Sequence, residues 1–288
     1  MSILKLAPAS VINASATQAI DELSNTTAPL AAQAKYLFSD NADHGNIIVN
    51  GSWAGKTLRQ YLSDEGWQVL GNDASKYEVL PFTVKSLGDT DQSVYSNASK
   101  KNESFWYVME AAPETFLYFG GKGTLNADEL ASAIEDGSWK SILQKASAHK
   151  DDLFVVDPGT IYAFENGPRI LEVEALVPVA GESEDSVYEK VSGDDYHKGD
   201  WVADGQAERA LAGSNDVFEL DLFQVDGRLD MDTDEKSFKL IVFLSGNAVV
   251  DADGETLHCE EGSVLFASAD SDTFHITGNC NFLLVHLV

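Results

Sequence analysis

Cysteine is nearly absent. Cys259 and Cys280 are the only two among 288 residues, both lie in stretches that read as strands, and no CxxC spacing relates them. That predicts two buried free thiols in a cytoplasmic protein, able to pair only if their Cα atoms approach to about 4.4 to 6.8 Å. Basic residues are scarce as well: 19 Lys plus Arg stand against 47 Asp plus Glu, giving a formal charge of -28. Nucleic acid and anionic membrane both need neutralising cations, so neither is an expected partner, and the acidic surface reads as a solubility device. Long hydrophobic runs are missing too, for no segment approaches the roughly 18 uninterrupted apolar residues of a membrane span. The apolar start Met1-Ser-Ile-Leu-Lys-Leu is broken by Pro8, Ser10 and Asn13 before it reaches the length of a signal peptide. Gly55-Lys-Thr suggests a phosphate loop, but Asn50 stands where the upstream glycine of that motif belongs.

What is present is a β pattern. Between Val79 and Glu174, short runs rich in β-branched and aromatic residues are punctuated by Gly, Pro, Asn and Asp, the mark of successive antiparallel strands. Asn126-Ala-Asp-Glu-Leu interrupts them with a helix that carries its own cap, a capping-box acid at Glu129 and a Gly137 exit; a second helix is expected from Ser138 to Lys145. Thr57 caps a short helix whose buried stripe is Leu58, Tyr61 and Leu62. Ala14 to Leu23 has helical spacing, whereas Asn25 to Asp43 is polar and turn-rich. From Leu176 to Asp216 acidic and turn residues dominate and predict a long connection. Alternation resumes at Val217 and continues to the end of the chain. His258, His275 and His286 are scattered along that last stretch without the paired spacing of a metal site, and read as structural histidines.

The order of Asn50-Gly-Ser-Trp-Ala-Gly-Lys-Thr-Leu, Leu80-Pro-Phe-Thr-Val-Lys, Ser93-Val, Trp106-Tyr, Asp136-Gly-Ser-Trp, Pro158-Gly-Thr and Ile170-Leu-Glu, followed by a C-terminal β region, resembles the type I mannose-6-phosphate isomerase family of cupins. The resemblance runs from about Asn50 to Val288. It implies a mainly β, double-cupin fold, with two antiparallel barrels or jelly rolls and a small helical insert. The corresponding division is an N-terminal segment over 1–75 packing on the barrels, a first cupin barrel over 76–176 with its insert at 126–146, an acidic connection over 177–216 and a second cupin barrel over 217–288.

The resemblance also implies zinc held by a Gln-x-His pair, a Glu and a second His, with an Arg assisting proton transfer between C1 and C2 of a phosphorylated sugar. Laid onto this sequence, those ligand positions fall on Tyr95, Asn97, Ser104 and Tyr162, and no Arg occurs between Arg169 and Arg209. A phenol, an amide and a hydroxyl are poor zinc ligands beside imidazole, thiolate or carboxylate. The expectation is therefore that no metal or other cofactor is held. Glu103 is the carboxylate nearest the vacant glutamate position, one residue out of register, and would need a bulge to face inward. Lys85 matches a family lysine, Lys101 neighbours another such position, and with Glu174 they complete the candidate pocket.

Three readings follow. The first is a degenerate homologue that binds a sugar, sugar phosphate or related metabolite, or that regulates. The second is an active mannose-6-phosphate isomerase with an unconventional site, using Glu103 as base and Lys85 with Lys101 for phosphate. The third is a metal-free cupin enzyme in which Tyr95 and Tyr162 act as acid and base. Losing a single oxyanion-type donor costs about 3 to 4 kcal/mol of transition-state stabilisation, and here a metal and an arginine are both missing, which favours the first.

Overall fold

The computed structural model describes residues 3–11, 33–42, 45–88, 94–96, 103–123, 127–157, 160–177, 194–195, 200–204, 206–252 and 254–288. The chain forms two compact units: unit one comprises Met1–Ala9, Tyr36–Thr83 and His197–Val288, and unit two comprises Ser10–Lys35 and Val84–Tyr196. The structure is mostly β, in keeping with the cupin expectation. Among the described residues the sheets do not close into barrels: each strand path ends on an edge strand instead of returning to its start.

Unit one is built on three 14-residue strands, Phe218–Met231, Lys239–Ala252 and Phe274–Leu287. The last of these lies between the other two and pairs antiparallel with both. Strand order continues outward through Ala207–Ser214 and Val202–Asp204 on one side, and through Val264–Ala267, Ile3–Ala7 and Ile47–Ile48 on the other. Strands this long bend where side chains give way. At Gly246 (φ 78) a Cβ would lie 2.1 Å from the carbonyl oxygen of Asn279, next to a register shift between Phe243 and Ser245. Only glycine satisfies both the left-handed backbone and that close approach.

Alternate residues of the three long strands form one apolar core, including Phe223, Ile241, Phe243, Val250, Phe274 and Phe282. A second group of rings gathers Phe38, Phe82, Phe238 and Phe266, with centroids 5.3 to 6.0 Å apart. The helix Leu58–Glu65 forms as its sequence predicts. Thr57 accepts from the Gln60 amide, Gln60 returns the bond, and Leu58, Tyr61 and Leu62 are buried.

Cys259 and Cys280 are both buried in the core of unit one, and burial pushes each thiol up to about 11. A thiol raised in the folded state leaves stability untouched below its ordinary value and erodes it as pH climbs from about 9 toward 11, because the unfolded chain ionises first. At neutral pH we expect negligible reaction with a disulfide reagent in the native protein and two equivalents after unfolding; rapid native labelling would contradict that burial.

Unit two contains the run Asp194–Asp195, Leu153–Val156, Ser104–Glu110, Arg169–Ala175 and Phe82–Gly88, whose last strand begins in unit one, and a four-stranded sheet of Val94–Ser96, Ile161–Glu165, Phe116–Gly121 and Leu143–Ser147. Trp106, Phe119, Phe154 and Phe164 fill one core cluster. The insert helix Ala127–Glu135 is followed by Trp139, whose ring meets Tyr118 edge-on at 5.2 Å.

Three expectations are corrected. The helix predicted over Ser138 to Lys145 stops at Ile142, because Leu143–Ser147 pairs with Phe116–Gly121 and the ladder outweighs local propensity. Gln33–Phe38 is a strand with Tyr36, Leu37 and Phe38 buried, not a polar turn region. Within the predicted acidic connection, Ala207–Ser214 is a strand paired with Phe218–Met231; a shift between Leu211 and Gly213 breaks its period of two, and small alanines hide its buried face. The helix expected at Ala14 to Leu23 lies outside the described residues. No helix among the described residues is long and apolar enough to cross a membrane.

Candidate functional site

The resemblance points to unit two, and several of the expected residues meet there. Ser104 and Trp106 alternate along Ser104–Glu110; opposite them on Arg169–Ala175 lie Glu174 and Glu172, in the pairs Ser104↔Glu174 and Trp106↔Glu172. The period of two places all four on one face of the sheet. Lys85 reaches this row from Phe82–Gly88. Its Nζ lies 3.1 Å from Glu172 Oε2 and also bonds Glu174 Oε2. Glu172 Oε1 accepts from Trp106 Nε1 at 3.0 Å. Lys85 is 12% exposed at its side chain and the two glutamates 9% and 12%, so the three charges are nearly out of water.

Burial holds the Glu174 carboxyl above its usual range, and the adjacent Glu172 charge pushes the same way, against the pull of Lys85. Ser104 is fully buried, and its Oγ has no hydrogen-bond partner. Tyr162 packs edge-on against Trp106 at 4.8 Å between centroids and stands opposite Tyr95 across the Ile161–Glu165 and Val94–Ser96 ladder. The pairing from Ser104 to Val108 runs without a shift, so no bulge turns Glu103 into the row of Ser104 and Trp106; its carbonyl accepts from the Ala175 amide at 3.0 Å. Asn97 and Lys101 lie outside the described residues, as does the Tyr95 side chain.

A family model described as the cupin domain of mannose-6-phosphate isomerase matches residues 210–287. The Bacillus subtilis protein named "Probable mannose-6-phosphate isomerase GmuF" is 24% identical over 279 residues, spanning 86% of this chain and 87% of its own. Over residues 210–287 the chain therefore matches the mannose-6-phosphate isomerase cupin domain, and over most of its length it is similar to type I mannose-6-phosphate isomerases. Mannose-6-phosphate isomerase ManA of Bacillus subtilis is 25% identical over 151 residues, 48% of this chain and 47% of its own. The crystal structure of mannose 6-phosphate isomerase from Bacillus subtilis superposes with a TM-score of 0.73 at 18% identity, covering 99% of this chain and 100% of that one, which establishes the shared fold.

Zinc is the metal that the resemblance to type I mannose-6-phosphate isomerases implies, and the described residues of unit two do not fit it. The unit has one histidine, His149, and no cysteine. His149 stands in an exposed turn beside Asp152, on none of the strands that bring Lys85, Glu172 and Glu174 together. Both buried carboxylates already share an ammonium. A lysine between two carboxylates satisfies charge without supplying an electrophile.

Sequence reasoning passed over a second constellation. His286, read as structural, meets Glu219 and Asp221 in unit one, and theirs is the one group of three possible metal ligands among the described residues. The usable signal was Glu219-Leu-Asp221, two carboxylates one residue apart on a strand and therefore on one face. Nothing in the sequence stated that His286 would pair directly across from Glu219.

Proposed function

We propose that this mannose-6-phosphate isomerase-family cupin binds a sugar or sugar phosphate in unit two and does not perform metal-dependent aldose–ketose isomerisation there. The observation that carries this reading is Lys85 held between Glu172 and Glu174. An isomerase needs a base to take a proton from carbon, a donor at the carbonyl and a charge that stabilises the enediolate. Here the lysine is committed to the two carboxylates, which leaves its charge already neutralised and not available to stabilise an enediolate. A fixed row of ammonium, carboxylates and indole N–H retains the hydrogen-bonding vocabulary of a polyol site.

The relatives' names favour a second reading, catalysis of the mannose 6-phosphate to fructose 6-phosphate exchange, and a turnover assay separates the two. Purified protein is incubated with mannose 6-phosphate, alone, with added Zn2+ and with chelator. We expect no conversion in any condition, while mannose, fructose or one of their 6-phosphates raises the melting temperature. Turnover abolished by chelator would sink the proposal. Turnover that survives chelator but is lost in Tyr162→Phe would instead establish the metal-free enzyme.

A further inference from the structure

We propose that Glu219, Asp221 and His286 form a site in unit one for a single divalent cation of the zinc class, with Arg209 standing in for the ion when it is absent. The proposal rests on this cluster alone and is independent of the reading of unit two.

The backbone assembles the donors. Glu219 and Asp221 are two residues apart on Phe218–Met231, and His286 is the direct cross-strand partner of Glu219 on Phe274–Leu287, so all three project from the same face. His286 Nε2 lies 3.5 Å from Glu219 Oε1 and 3.5 Å from Asp221 Oδ2, and one ligand atom from each residue falls within 4.8 Å of the others. A tetrahedral ion with bonds of about 2.0 to 2.1 Å holds neighbouring ligands about 3.3 to 3.4 Å apart. The two imidazole-to-carboxylate edges are thus already close to the spacing such an ion requires.

Two further observations point to cation binding. The Nδ1 of His286 is 3.1 Å from the carbonyl oxygen of Leu287. A carbonyl can only accept, so Nδ1 carries the proton. Nε2 is then directed at the two carboxylates, the orientation in which a metal-bound histidine is usually held by its second nitrogen. In addition, Asp221 is 0% exposed and its Oδ1 has no hydrogen-bond partner. A fully buried carboxylate with an unsatisfied oxygen calls for more positive charge or another donor than the protein provides.

What the protein does provide is Arg209, whose Nη2 sits 2.7 Å from Asp221 Oδ2 and 3.2 Å from Glu219 Oε1. Its side chain is 46% exposed, so the guanidinium can withdraw into solvent. Lys239, opposite His286 on the neighbouring strand, is another nearby cation. The cluster opens onto a cavity of about 480 Å³ whose lining adds Asp73, Asp230, Asp232 and Asp234 against Lys236 and Lys239. That surplus of carboxylate selects a cation over an anion such as phosphate. Three protein donors leave a fourth tetrahedral position facing the cavity.

The test uses the full chain, stripped with chelator and dialysed. Zn2+ binding is followed by calorimetry, and Co2+ serves as a visible-absorption probe of tetrahedral nitrogen and oxygen ligation. One equivalent of Zn2+ is expected per chain, with a tetrahedral Co2+ band. Affinity should fall at least about tenfold in His286→Gln. Arg209→Met should bind more tightly than the parent, because the competing guanidinium is gone; a salt bridge with no metal role predicts no such gain. Circular dichroism verifies folding, and the half-buried Glu219→Gln takes the place of any variant that fails to fold. The proposal is overturned if neither the parent nor Arg209→Met binds Zn2+, or if binding and the Co2+ spectrum are unchanged in both His286→Gln and Glu219→Gln.

Discussion

Lys85→Met is expected to destabilise the protein by about 3 to 5 kcal/mol at neutral pH, measured as the loss in extrapolated unfolding free energy in urea. Methionine preserves the length and packing of the side chain and removes only the ammonium. Glu172 and Glu174, 9% and 12% exposed at their side chains, would then face each other without a counter-charge. The asymmetry between losing one partner and replacing all of them sets the size of the effect: the triple variant with Glu172→Gln and Glu174→Gln should recover most of it, since the remaining groups are neutral. The sign of the pH dependence is fixed by Glu174. Its folded value lies above the ordinary one, so its contribution is fullest when it is protonated and is lost as pH rises through that folded value. Acidification should therefore narrow the gap between Lys85→Met and the parent. A loss below about 1 kcal/mol at pH 7 would show that Lys85 does not neutralise the pair.

Gly246→Ala should be comparably damaging, and Gly254→Ala measures how much of the damage is steric. Both glycines have nearly the same backbone, φ 78 and φ 81, so each substitution incurs the left-handed penalty of about 1 to 2 kcal/mol. Around Gly254 an added Cβ meets nothing within 4 Å; at Gly246 it would lie 2.1 Å from the Asn279 oxygen and 2.8 Å from the Cys280 Cα. Both neighbours are backbone atoms of the central strand and cannot rotate away. The clash adds about 1 to 3 kcal/mol, for a total loss of about 2 to 5 kcal/mol at Gly246 against 1 to 2 at Gly254. Equal losses at the two sites would mean that the Gly246 bend opens freely.

The β class, the Thr57 cap and the alternating strands were legible because each is a local property: a capping hydroxyl, a period of two, a turn glycine. Ala207–Ser214 escaped notice because a bulge and small side chains erase alternation, and Leu143–Ser147 because its strand state is imposed by a partner that no local window contains. At the candidate site the resemblance brought Lys85, Ser104, Tyr162 and Glu174 into view. It did not announce that Lys85 would bind two carboxylates: Glu172 stood in the Ile170-Leu-Glu motif without a role until the strand pairing placed it opposite Trp106. His286 was misread for the same reason: its companions are 67 and 65 residues away in the chain and adjacent only through register.

The discontinuity of unit one governs the order in which the molecule can be completed during synthesis. Ile3 pairs with Ala267, a partner that leaves the ribosome roughly 260 residues later, which at about 5 to 20 residues per second is a delay of roughly 10 to 50 s. Unit two, finished by Tyr196, is translated in full within that interval. Nascent chains halted before Phe274–Leu287, the strand that joins the two other long ones, should therefore protect unit two from protease while leaving the N-terminal strand open to cleavage.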